Sequence, residues 1–133
     1  MKKIFTLLAL TIGFSMNAQT GNTSTGTNAL ASGSLSGSYN SAFGFGTLYA
    51  NTTGSDNTAS GSYSLNYNTT GANNTASGSY SLLFNTTGNS NTASGYYSLY
   101  SNTTGQENTA SGVQSLYSNT TGSKNTAFGY NAQ

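Results

Sequence analysis

Between Gly37 and Gln133, alanine and leucine return at fixed places in a background of glycine, asparagine, serine and threonine, and the interval is 17 residues. Stacked from a glycine, the rows read GSYNSAFGFGTLYANTT from Gly37, GSDNTASGSYSLNYNTT from Gly54, GANNTASGSYSLLFNTT from Gly71, GNSNTASGYYSLYSNTT from Gly88 and GQENTASGVQSLYSNTT from Gly105. A shorter row, GSKNTAFGYNAQ, follows from Gly122. The fourth column is asparagine throughout, including Asn57, Asn74, Asn91 and Asn108, and the sixth is alanine, including Ala59, Ala76, Ala93 and Ala110. The twelfth is leucine in every full row, with Leu65, Leu82, Leu99 and Leu116 among them, whereas the second and third columns drift. Constant columns face something that selects them; drifting columns face water.

A row this short has no room for a pair of helices, and its glycine, asparagine, serine and threonine form helices poorly. It suits one rung of a parallel β-solenoid, with two short strands of about five residues each and two turns. The strand candidates are NTASG and the segment around SYSL; the turn is NTTG with the two drifting residues, where Asn and Gly accept positive φ. The period of two along a strand sends the Ala column to one face and the flanking Thr and Ser columns to the other. Along SYSL, Leu shares a face with the preceding Tyr or Gln. Ala and Leu are therefore expected inside, and the asparagines are expected to pair amide to amide from rung to rung. One Ala and one Leu per rung make a thin core, so hydrogen bonds between rungs must contribute much of the stability. A trimer of three rolls along a common axis would add a second buried surface, with Phe43 and Phe128, which replace Ser in column seven, as candidates to face it.

The first residues change the picture of where the chain works. Lys2 and Lys3 precede an apolar run over 4–14 that is too short to span a bilayer and suits the core of a secretory signal. Residues 1–18 read as a cleaved signal peptide, 19–36 as an irregular N-terminal capping rung, and 37–133 as five full repeats and one cut short. No membrane-spanning segment is expected after cleavage, and the abrupt end inside a rung reads as a piece of a longer gene.

Composition removes most chemistry. Residues 19–133 carry only Asp56, Glu107 and Lys124 as charged side chains, all in the drifting turn, so phosphate recognition lacks its cations and a nucleic-acid partner is excluded. With no Cys and no His in the sequence, disulfides, thiolate or zinc sites and most general bases are missing. Glycine-aspartate calcium sites need an acid in each rung, and here only Asp56 stands near one. The many serines have no base beside them. No catalytic residue, metal or cofactor is assigned, and the expectation is a non-enzymatic protein. Thirteen Leu, Val and Phe residues among 115 would suggest disorder, but the periodicity argues for a repeat fold. The NTT triplets read as Asn-capped turns rather than sugar acceptors. Tyr63, Tyr80 and Tyr97 form a column that is either a binding strip or packing at a subunit seam.

The N-x-A-x-G core followed by a small residue and Leu, recurring behind a signal peptide, resembles the YadA-like head repeats of trimeric autotransporter adhesins, in the Asn-Thr-Ala-rich variant of surface and tail-fibre-like proteins. Asn28–Gly33, NALASG, is similar to that family's NSVAIG hexapeptide, and the resemblance covers roughly 26–133. It implies a left-handed parallel β-roll, a homotrimer, and a place at the cell surface, outer membrane or outside the cell, attaching to matrix, glycan or other cells. The alternatives are an ice-binding solenoid using the ladder of Thr58, Thr75, Thr92, Thr109 and Thr126, and a purely structural fibre segment.

Overall fold

The computed structural model describes residues 21–32 and 37–133. The leader assigned to 1–18, and 19–20 and 33–36 of the capping rung, lie outside the described residues. The described residues form an all-β solenoid of seven parallel strands in one sheet, in the order of the sequence. They are β1 (Thr23–Thr25), β2 (Ser41–Phe43), β3 (Thr58–Ser60), β4 (Thr75–Ser77), β5 (Thr92–Ser94), β6 (Thr109–Ser111) and β7 (Thr126–Phe128). Each pairs with the next in strict register, Ala59 with Ala76 and Ala76 with Ala93, so every column of the sequence becomes a ladder. At about 4.8 Å per rung the stack of seven strands rises about 30 Å.

The strands are shorter than the five residues expected, and each rung has one instead of two. Thr-Ala-Ser is extended, with Ala buried and its neighbours outward. The SYSL segment is a turn: Tyr63 and Leu65 both sit in the left-handed region, at φ 59° and 49°, with one residue between them. The same two positions repeat at Tyr80 and Leu82 and at Tyr97 and Leu99. The period-of-two argument therefore fails here: Leu goes fully inside while Tyr stays half-buried on the flank. A left-handed leucine costs about 1–2 kcal/mol, close to the roughly 2 kcal/mol that burying its side chain returns. A side chain and backbone hydrogen bond tighten the bend, since Ser64 donates from both its N–H and Oγ to the Gly61 carbonyl, at 3.2 and 2.9 Å.

Positive φ at the opposite corner also falls elsewhere than expected. The Asn and Gly of NTTG keep negative φ, and the second drifting residue turns left-handed instead: Asp56, Asn73, Ser90, Glu107 and Lys124 lie between 56° and 62°. These residues are exposed, so no side-chain packing selects among them. The N-terminal rung is aligned differently too. Its strand is β1, which makes Asn22–Gly26 the counterpart of the pentapeptide, while Asn28 lies in the following bend and Leu30 fills the leucine column. The core is one file of alanines and leucines, from Ala29 and Leu30 to Leu116 and Ala127.

The two glycine columns have different reasons. Gly61 and its equivalents need positive φ, 123° at Gly61. Gly71 has ordinary φ, but a Cβ there would meet the Gly88 carbonyl oxygen at 2.5 Å and Asn85 Nδ2 at 2.8 Å. Gly71→Ala is expected to destabilise the chain by about 3 kcal/mol in urea unfolding. Glu107→Gly, which relieves an exposed left-handed residue, is expected to stabilise it by up to about 1 kcal/mol. Equal effects of the two changes would contradict this account of the corners.

Candidate functional site

The predicted asparagine column is the interior scaffold. Asn57, Asn74, Asn91 and Asn108 are buried, and each Nδ2 donates to Oδ1 of the asparagine one rung earlier, at 3.0 Å from Asn57 to Asn40 and 3.1 Å from Asn74 to Asn57. The backbone N–H of Asn74 donates to the same Asn57 Oδ1 at 3.0 Å, so that oxygen accepts twice. The second Nδ2 proton reaches the carbonyl of the next row's first glycine, Gly88 in the case of Asn74, at 2.8 Å.

A second ladder accompanies it, built from the NTT asparagines read from sequence only as turn caps. Asn68 donates to Asn51 Oδ1 at 2.8 Å, Asn85 to Asn68 at 2.9 Å and Asn102 to Asn85 at 2.8 Å. These also reach the first-column glycine, Asn85 to the Gly88 carbonyl at 3.0 Å. Each such carbonyl is held between two amides, one from either ladder. The signal was in the rows: column fifteen is asparagine in all five full repeats. Asn51, Asn68, Asn85 and Asn102 are fully buried, which closes them to a glycosylating enzyme in the folded chain. The first Thr of the triplet ties the corner further, Thr69 Oγ1 donating to the Thr86 carbonyl at 3.0 Å. Among the described residues no buried side-chain nitrogen or oxygen lacks a partner, and none cluster into a metal site of three or more acidic, His or Cys groups.

On the outside two surfaces stand out. The first is the sheet face of Thr58, Thr75, Thr92 and Thr109 with Ser60, Ser77, Ser94 and Ser111, uncharged and in register. Phe43 and Phe128, 44% and 70% exposed, stand near its two ends. The second is aromatic. No family model, curated protein or solved structure matches this chain. The reading of these surfaces accordingly rests on their chemistry.

The aromatic strip gathers more than the predicted column. Tyr63 stacks on Tyr80 with centroids 5.4 Å apart, and Tyr80 on Tyr97 at 5.1 Å. Phe45 joins at one end, edge-on to Tyr63 at 5.2 Å. A neighbouring file, Tyr67 stacked on Phe84 at 5.3 Å and Tyr100 on Tyr117 at 5.0 Å, connects through Tyr97 and Tyr100 at 4.9 Å. Tyr96 packs against Tyr97 at 4.1 Å. Sequence reasoning missed the second file because it wanders between columns thirteen and fourteen. Stacked rings occupy one another's faces, so the strip offers ring edges and phenol groups more than the free faces that sugar rings stack on.

Crowding also shifts two phenols. The hydrogen bond with Tyr96, followed by desolvation and repulsion from that same ring, raises the Tyr97 pKa above its ordinary value. Tyr100 is raised first by desolvation and then by repulsion from Tyr117, Tyr97, Tyr67 and Tyr80. A phenol raised in the folded state stays neutral where the unfolded chain already ionises. Its stabilising contribution is thus present below pH about 10 and is lost as pH rises through that range. Ultraviolet titration should show a late-ionising component in the folded chain that is absent in urea and lost when Tyr97 and Tyr100 are both phenylalanine; its persistence in that variant would contradict this assignment.

Replacing Asn74 tests the ladders. Asn74→Asp puts an acceptor where two donors stand, and Asn74→Ala leaves the Asn91 amides without their oxygen. Both are expected to cost about 2–5 kcal/mol in urea unfolding, the aspartate more, against at most about 0.5 kcal/mol for the exposed Thr75→Ala.

Proposed function

We propose that this is a non-enzymatic attachment rod, exported to the cell surface, outer membrane or medium, in which three copies form a head or fibre module of the YadA-like kind. The observation that carries it is the aromatic strip: a run of partly exposed, contacting rings extending over several rungs of an otherwise polar solenoid. Clustered, partly exposed aromatic rings favour an interaction site, and their repetition along a rod favours avidity built from weak contacts. Tyr63, Tyr80 and Tyr97 are its central residues, and stacked ring edges suit a protein ligand better than a glycan. The sheet face bracketed by Phe43 and Phe128 is the surface assigned to the threefold axis, because it is uncharged and in register. A left-handed roll follows from the family resemblance. A second reading, ice binding, rests on the in-register hydroxyls of that same sheet face.

Sedimentation equilibrium of residues 19–133 should give three times the chain mass, with Phe43→Ser plus Phe128→Ser lowering it. Beads coated with the chain should hold to protein-coated glass and release when Tyr63, Tyr80 and Tyr97 are all serine. A monomer with freezing-point hysteresis that Thr75→Lys and Thr92→Lys remove would replace this proposal with the ice-binding one.

A further inference from the structure

Outside the ladders, the feature with reactive potential is the tyrosine array itself. Seven of its nine rings are phenols, and the stacked pairs come from successive rungs whose backbones are bonded to each other, for example Leu99 N–H to the Ser115 carbonyl at 3.0 Å and Ser101 N–H to the Tyr117 carbonyl at 3.2 Å. Tyr100 and Tyr117 are the most nearly parallel, with an interplanar angle of 2° at 5.0 Å. Composition adds an independent point. The chain has no Cys and no Trp, and both of its methionines, Met1 and Met16, precede residue 19. Beyond the leader, tyrosine is therefore the side chain most readily oxidised by one electron, with no sulfur or indole to compete.

We propose that this array is a site of oxidative cross-linking, in which stacked phenols of neighbouring rungs are joined as dityrosine by hydrogen peroxide acting through a peroxidase. Each of two phenols gives up one electron and its Oη proton. The two resulting radicals pair in a carbon–carbon bond between Cε atoms, and the hydrogens on those carbons move to the oxygens, restoring two phenols. Two electrons and two protons leave per link and convert one hydrogen peroxide to two waters. Tyr96, 47% exposed and 4.1 Å from Tyr97, is the point of contact for the oxidant. From Tyr96 the radical passes between phenols, to Tyr97 and on to Tyr80 or to Tyr100 and Tyr117, until it meets a second one. The rung register supplies proximity that free phenols lack. Each link closes a loop of one repeat and removes entropy from the unfolded chain, so the rod gains the covalent staples its missing cysteines deny it.

The test is treatment of the purified full chain with peroxidase and hydrogen peroxide, followed by peptide mapping for tyrosine pairs lighter by two hydrogens. Links are expected within one chain, Tyr100 to Tyr117 foremost and then Tyr80 to Tyr97 and Tyr63 to Tyr80, with a higher thermal midpoint after oxidation. Tyr117→Phe keeps the ring and its packing, and it should abolish the first link and shrink the rise in midpoint. The proposal is overturned if links fall mainly at Tyr39, Tyr49 and Tyr130, which are exposed and outside the array, or mainly between chains. It is equally overturned if the pattern is unchanged in urea, or if free tyrosine in the same mixture is converted while the chain is not.

Discussion

Everything in this solenoid depends on asparagine amides that are satisfied only when another rung is present. A buried primary amide has two donors and an acceptor to place, and leaving them unpaired costs more than a single alanine and leucine can return. Stacking solves the problem along the axis: Asn57 Oδ1 accepts from Asn74, whose own oxygen accepts from Asn91. One rung alone would expose or orphan those groups. The ladders therefore make the fold cooperative between neighbours and bind each repeat to the same spacing, the condition under which repeat arrays behave as one-dimensional stacks.

The ladders also explain the division between constant and variable columns. Paired amides meet at the first-column glycine carbonyl, as Asn74 and Asn85 do at Gly88, and that meeting leaves no volume for a Cβ. The leucine column tolerates a left-handed backbone because the buried side chain offsets it. Outside, the exposed corner asks only for a left-handed turn, and Asp56, Asn73, Ser90, Glu107 and Lys124 all supply one. Interior chemistry is thus repeated and exterior chemistry is free to change.

The aromatic strip is the exception to that freedom. Its rings come from columns nine, ten, thirteen and fourteen, so no single column announces it, yet rung stacking brings them within ring-contact distance. Both the proposed attachment surface and the proposed oxidative site rest on the same geometry: aromatic side chains held one repeat apart by a backbone that does not let them drift.

The period, the parallel stacking, the buried Ala and Leu files and the first amide ladder were all legible in the rows, because a one-dimensional repeat maps each sequence column onto one spatial ladder. The second ladder at Asn51, Asn68, Asn85 and Asn102 was visible as a constant column but was read as local capping, since hydrogen bonds between rungs look from sequence like turn chemistry. The SYSL segment was misread as a strand because alternation is ambiguous between an extended chain and a bend with two left-handed residues, and the choice is made by the leucine finding the core. The N-terminal register, with Asn22 rather than Asn28 starting the first ladder, was likewise settled by contact with the next rung. Sequence by itself determined which residues repeat and that the alanine and leucine columns face inward, through period and polarity. Tertiary structure alone decided where the backbone turns left-handed and which rings meet, because both depend on neighbours that only the stacked rungs provide.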